Sequence, residues 1–197
     1  MGQLDYLIYY DQRKKAEAQE REKQKIKTYA SERYNPTIPY CSGGISLKFD
    51  GEFLYLFSGD FTDKYKADSG IPDGKGNFDY SVGRQKSADV GPIPEGKYWI
   101  NPDEFWVRDG WKFFLKDSYG NYRITIHPFA DTQTYGSKGP ATGLFIPRGG
   151  FFIHGGTKRG SKGCIDLTGS MDKFFDDVKR LIGENSKCQI HLSVKYQ

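Results

Sequence analysis

Two residues carry the strongest chemical suggestion in the chain, His154 and Cys164, ten positions apart within FFIHGGTKRGSKGCIDLTGS at 151–170. A strand-like run ends at His154, Gly155 and Gly156 let the backbone turn sharply, and a short basic loop leads through Ser161 and Gly163 to the cysteine. A loop of that length can return the thiol beside the imidazole. The chemistry of such a pair is nucleophilic. A free thiol ionises near about 8.5 and only the thiolate attacks well, so an imidazole that accepts its proton activates it. Gly163 leaves room for a substrate, and the N–H groups around Gly163 and Cys164 can face a developing oxyanion. Lys158, Arg159 and Lys162 add positive potential nearby. One Cys and one His at this spacing specify little by themselves; the Gly-Gly and Ser-x-Gly setting is what singles them out. Metal chemistry has no footing, since three histidines without HExxH or paired-Cys spacing give no coherent ligand set. No cofactor is expected.

The flanking segments read as the strands that would hold this loop. YRITIHP, TGLFIP and GFFIHGG are short apolar or alternating runs, as are WKFFLKD and the Pro/Gly-punctuated VGPIPEGKYWI. ISLKF and FLYLF flank Asp50-Gly51-Glu52, a hairpin signal. Residues 58–91 read as a long polar loop. After the cysteine, Phe174, Phe175, Val178, Leu181 and Ile182 fall at helical spacing, with Ser170 as the expected cap and Gly183 as the stop. CQIHLSVKY alternates, which places Ile190, Leu192, Val194 and Tyr196 on one face and His191 on the other. Residues 11–33 contain 13 charged positions among good helix formers; they predict a helix capped by Asp11, mostly solvated and weakly docked. The organisation expected is a charged helical extension over 1–40 and one mainly β domain over 41–197, with one packed helix near its C-terminus.

Composition bounds the rest. With 14 Tyr, 14 Phe, 24 Gly and 37% hydrophobic residues, the chain favours short strands joined by tight turns over a helical bundle. A net charge of +4 without a concentrated basic face gives no nucleic-acid module. No run approaches the roughly 20 apolar residues of a transmembrane helix. MGQLDYLIYYDQRKK does not read as a secretory signal. Three cysteines leave at least one thiol free; Cys41 and Cys188 can pair or can simply lie buried.

IHGG followed by SKGCID resembles the signature of the L,D-transpeptidase (YkuD-type) catalytic domain, and GPIPEGKY at 91–98 is similar to a strand entry found upstream in it. The resemblance covers roughly 42–196 and implies a β-sandwich or open barrel. It makes Cys164 the nucleophile, His154 the general base, and Ser161, Gly163 and Gly155 the support of the thiol and oxyanion. Within the family, the closer resemblance is to type VI secretion L,D-transpeptidase effectors, antibacterial toxins delivered to the periplasm. There, as here, the histidine lies close to the cysteine and Asp166 stands where housekeeping members carry arginine. His127, beside Pro128 in RITIHP, is a further candidate for orienting or contacting substrate, as is Asp166. The resemblance implies peptidoglycan stem peptides as substrate, a thioacyl-enzyme, a cognate immunity protein and a secretion-apparatus partner. It also implies secretion without a signal peptide and action in the periplasm of a target bacterium. A rival cysteine peptidase of the NlpC/P60 type places its cysteine before its histidine, the reverse of the order here. A non-catalytic cell-wall or protein-binding module would retain a dead site.

Overall fold

The computed structural model describes residues 3–108, 119–184 and 186–197. The Asp50-Gly51 turn joins β1 (Ser46–Phe49) to β2 (Phe53–Ser58) as an antiparallel pair, with Leu47 opposite Leu56 and Phe49 opposite Leu54. Gly51 sits at φ +99, and the Asp50 carboxylate accepts the N–H groups of Glu52 and Phe53 at 2.9 and 2.8 Å. The 58–91 stretch is not all loop. It contains β3 (Phe61–Lys66), β4 (Asp68–Ser69) and the single turn α2 (Val82–Gln85). Among the described residues β3 pairs only with β2, and it carries Asp63, Lys64 and Lys66, the charged dress of an edge strand, which hides its period-2 pattern.

Next come β5 (Gly96–Ile100), β6 (Trp106–Val107) and β7 (Tyr122–Pro128), then the separate hairpin of β8 (Gly136–Lys138) and β9 (Phe145–Pro147). β10 (Phe151–His154), β11 (Ile165–Asp166), α3 (Met171–Ile182) and β12 (Ile190–Val194) complete the chain. The large sheet runs β3-β2-β1-β12-β5-β7-β10-β11-β4, with β6 added on β7. Its two end strands, β3 and β4, are separated in the chain by Ala67 alone, so the sheet must curl until its edges approach. The result is mainly β and nearly closed, as the motif resemblance implies. The expected WKFFLKD strand lies outside the described residues.

Inside the curl sit Phe49, Leu54, Tyr98, Ile124, Phe151 and Ile153, and α3 adds Phe174, Phe175, Val178 and Ile182. Each such side chain contributes about 1.5–3 kcal/mol on full burial. Ser170 does not cap α3. It is itself helical at the end of a 3-10 turn, Thr168–Ser170, and its hydroxyl makes no capping bond. Because the turn runs directly into the helix, no extended cap residue is needed. Gly183, at φ +63, ends it. Cys41 and Cys188, left open by the sequence, form a disulfide whose cysteines are both buried, clipping the start of the domain to the entry of β12.

α1 spans Gln3–Ser31, so it begins well before Asp11, which lies inside it and pairs with Lys15 at 2.9 Å. Nor is its C-terminal half weakly held. Glu22 accepts the N–H groups of Ala141 and Thr142 and the Thr142 hydroxyl at 3.0, 2.9 and 2.8 Å. Just beyond its last residue, the Glu32 carboxylate accepts the Gly150 N–H at 3.1 Å, and Arg33 donates to the Thr132 carbonyl at 2.7 Å. Tyr29 lies so close over Gly149 that a Cβ there would meet its ring at 2.7 Å. The N-terminal half leaves Leu7, Ile8, Tyr9 and Tyr10 exposed.

Candidate active site

β7, β10 and β11 set the site by their register. His154 pairs with Arg123 on one side and Asp166 on the other. Ile153 pairs with Ile165, so one step back along the parallel ladder brings Cys164 alongside Phe152, whose backbone N–H donates to the thiol. Alternation sends Phe151, Ile153 and Ile165 into the core and leaves His154, Phe152, Cys164 and Asp166 on the opposite face. Cys164, one residue before β11, and His154 are therefore diagonal neighbours on one face of two adjacent strands.

The loop between them is tied at each end. The Ser161 hydroxyl donates to the Cys164 carbonyl at 2.5 Å, and the Ser161 N–H donates to Gly70 at 2.9 Å. Gly163 is required twice over. Its φ is +103, and a Cβ would lie 2.5 Å from Nη2 of Arg148 and 3.2 Å from the Phe151 ring. Beneath it the buried Arg148 guanidinium donates to the carbonyls of Gln85, Pro92 and Gly91. Gly155 is packed against α3, where a Cβ would come within 2.8 Å of both Met171 and the Thr168 carbonyl. Its N–H donates to Tyr119, so it supports the site through packing and through its carbonyl.

That carbonyl lies 2.7 Å from His154 Nδ1. A carbonyl only accepts, so Nδ1 carries the proton and Nε2 is left as the basic nitrogen. Asp166 Oδ1 stands 4.0 Å from Nδ1, beyond hydrogen-bond range, and instead accepts the Thr168 N–H at 2.8 Å, while Oδ2 accepts that of Gly160 at 3.2 Å. Asp166 thus braces both ends of the turn around the histidine, including Thr168, a β-branched residue held at φ +46. Burial raises its carboxyl to about 7, against the pull of those two N–H groups. Tyr119 meets the imidazole edge-on, with ring centres 5.3 Å apart.

Burial lowers the His154 imidazole and pushes the Cys164 thiol up to about 12; the Phe152 N–H, Arg123 and Arg148 pull the thiol back only partly. Both directions favour a neutral thiol and a neutral imidazole over an ion pair. The cations that act on Cys164 are Arg123 and Arg148, which the sequence did not single out. Arg159 is engaged by Asp68 with two contacts at 2.7 Å, and Lys162 faces Asp89 at 3.9 Å. Arg123 is held among the rings of Phe152, Trp106 and Tyr119 at 4.5, 5.3 and 5.6 Å. The only sequence signal for it is the alternation of YRITIHP; its partner strand cannot be read from spacing.

His127 is not brought to this pair. It lies four residues along β7 from Arg123, pairs with Trp99 of β5 and stacks on that indole at 4.5 Å. Its Nε2 is 2.6 Å from Glu104. At about 3.3 Å per residue, that is some 13 Å from the His154 row.

Cys164 keeps partial exposure at a cavity of about 440 Å³, a volume ordinary for a ligand of a few residues. Tyr29 and Lys25 from α1, Arg148, Phe152 and Tyr119 also line it. No curated protein matches the chain. The family model of the L,D-transpeptidase catalytic domain (YkuD) matches residues 65–186, more than half of the chain and inclusive of both His154 and Cys164. With its curled sheet, single free thiol among the described residues and oriented histidine, the chain belongs to the L,D-transpeptidase catalytic-domain (YkuD) family.

Proposed function

We propose that this L,D-transpeptidase-type peptidoglycan enzyme acts on stem peptides through a thioacyl-enzyme on Cys164. The observation that carries the proposal is the cavity-facing Cys164 beside a histidine whose Nδ1–H is fixed on Gly155. Nε2 of His154 takes the thiol proton as sulfur attacks the carbonyl of the third, L-centred residue. The Gly163 and Cys164 N–H groups receive the oxyanion. Collapse breaks the peptide bond, and the departing terminal D-amino acid takes the proton from His154. Water then opens the thioester, giving L,D-carboxypeptidase activity, or an amine does, giving D-amino-acid exchange or cross-linking. Mass spectrometry of muropeptides after incubation tests this. Wild type should convert tetrapeptides to tripeptides or exchanged products and Cys164→Ala should not; full conversion by the variant would refute it.

We further propose that the enzyme is a secreted antibacterial effector working in the periplasm of a target bacterium, opposed by an immunity protein and delivered by a secretion apparatus. The Asp166 departure from the housekeeping motif supports this, as does the Cys41–Cys188 disulfide, a bond at home in an oxidising compartment. Expression with an added periplasmic signal should be toxic and cytoplasmic expression harmless. Equal harmlessness would count against the effector role.

A further inference from the structure

α1 lies entirely outside the family match, yet it supplies part of the catalytic cavity. Glu22, Lys25 and Tyr29 fall at i, i+3 and i+7, one face of the helix, and all three line the cavity that Cys164 opens onto. They divide the work. Glu22 clamps α1 to the loop at 141–142 through its three hydrogen bonds, and Tyr29 lies on the Gly149–Gly150 backbone.

The charged side chains of this cavity are Glu22, Lys25, Asp89, Arg148 and Lys162. Glu22 is consumed by Ala141 and Thr142, Arg148 by three carbonyls, and Asp89 and Lys162 face each other at 3.9 Å. Among the described residues, Lys25 alone of the five has no ion-pair or hydrogen-bond partner. Lys25 acts on the Glu22 carboxylate through space but makes no ion pair with it, and an ammonium so placed on a wall of a peptide-sized cavity suits an anionic ligand group.

We infer that the C-terminal half of α1 is a wall of the substrate cleft, in which Lys25 receives the terminal carboxylate of the peptide. The inference rests on the stem-peptide reading above and makes α1 a specificity element rather than an appendage. Lys25 is a substrate-binding residue; Tyr29 shapes the wall beside it.

The test is binding of a tetrapeptide stem, as free acid and as C-terminal amide, to the Cys164→Ala protein by calorimetry. The free acid should bind about fivefold tighter than the amide, the value of one exposed ion pair. Lys25→Ala should abolish that preference, Lys25→Arg should keep it, and Tyr29→Ala should weaken both peptides alike. Iodoacetamide labelling of Cys164 in the otherwise wild-type chain should be unchanged by Lys25→Ala, showing that the fold and thiol are intact. An undiminished preference in Lys25→Ala, tighter binding in that variant, or no binding of either peptide would overturn the inference. Binding as expected, with no turnover by wild type, would instead refute the catalytic reading alone.

Discussion

Replacing Cys41 and Cys188 together by alanine should destabilise the protein heavily while leaving its chemistry intact. The disulfide spans 147 positions of sequence. Loop closure of that length removes about 17 cal/mol/K from the unfolded chain, from −2.1 − 1.5R ln n, or about 5 kcal/mol at 25 °C. At about 2.1 cal/mol/K per residue of unfolding entropy, a 197-residue chain would lose about 12 °C in Tm. The bond lies at the entry of β12, which β5 and β7 separate from β10, so the register of His154 and Cys164 should survive. Urea denaturation with and without reductant reads the effect directly. The variant should show a lower midpoint and a steeper slope, because its unfolded chain is no longer compacted by the cross-link. Reductant should shift the wild type to the variant's position and leave the variant where it is. A midpoint change worth less than about 1 kcal/mol would sink the chain-entropy argument.

Gly163→Ala should abolish activity and cost about 1–3 kcal/mol, since the residue would need both a left-handed backbone and the space held by Arg148; kinetics and thermal melts check it. Arg148→Met should cost about 3–5 kcal/mol by leaving three carbonyls without their donor, measured in the same melts. Asp166 has a folded-state carboxyl raised to about 7 from an unfolded value near 4, so it binds its proton more tightly when folded. Its favourable contribution is complete below about pH 4 and lost as pH rises to about 7. The Tm difference between wild type and Asp166→Asn should therefore move against the wild type from pH 4 to 7; a flat difference would contradict the raised carboxyl. In the free enzyme, iodoacetamide labelling of Cys164 should keep accelerating above pH 9, because its thiol is pushed up to about 12, while the acid limb of kcat/KM should lie below the pH at which an ordinary imidazole protonates, since the His154 imidazole is lowered. A labelling plateau below pH 8 would mean a preformed thiolate.

Most of the strand content was legible because its signals are local. The Asp-Gly turn, the alternation of CQIHLSVKY and the helical spacing from Phe174 to Ile182 each depend on neighbours in the chain. The motif at 154–164 was likewise local, and Ser161 and Gly163 have structural reasons that a sequence can only hint at. What was hidden is non-local. β3 was obscured by its edge charges, and the pairing of Arg123 with His154 depends on register between strands 31 residues apart in sequence. Arg148 reads as a loop cation until its three carbonyl partners, 56 to 63 residues away, are in place. The sequence could not show that Arg159 and Lys162 face Asp68 and Asp89, or that burial raises the thiol. The docking of α1 was unreadable because its anchors, Glu22 and Glu32, look like ordinary solvated charges until the facing N–H groups are placed.

The Cys41–Cys188 bond also governs how the chain responds to force. Tension applied to residues on either side of it would pass through the sulfurs and bypass the strands enclosed between them, but not β12, which follows Cys188 and lies between β1 and β5. The segment between them, a sequence separation of 147 and about 500 Å of contour at full extension, would remain hidden length until a reductant cut the bond. The preceding 40 residues, by contrast, hold α1 and its cleft contacts outside that shelter. A pull would therefore load α1 with its Lys25 and Tyr29 wall from one side and β12 from the other, while β10, β11 and Cys164 lie within the protected loop.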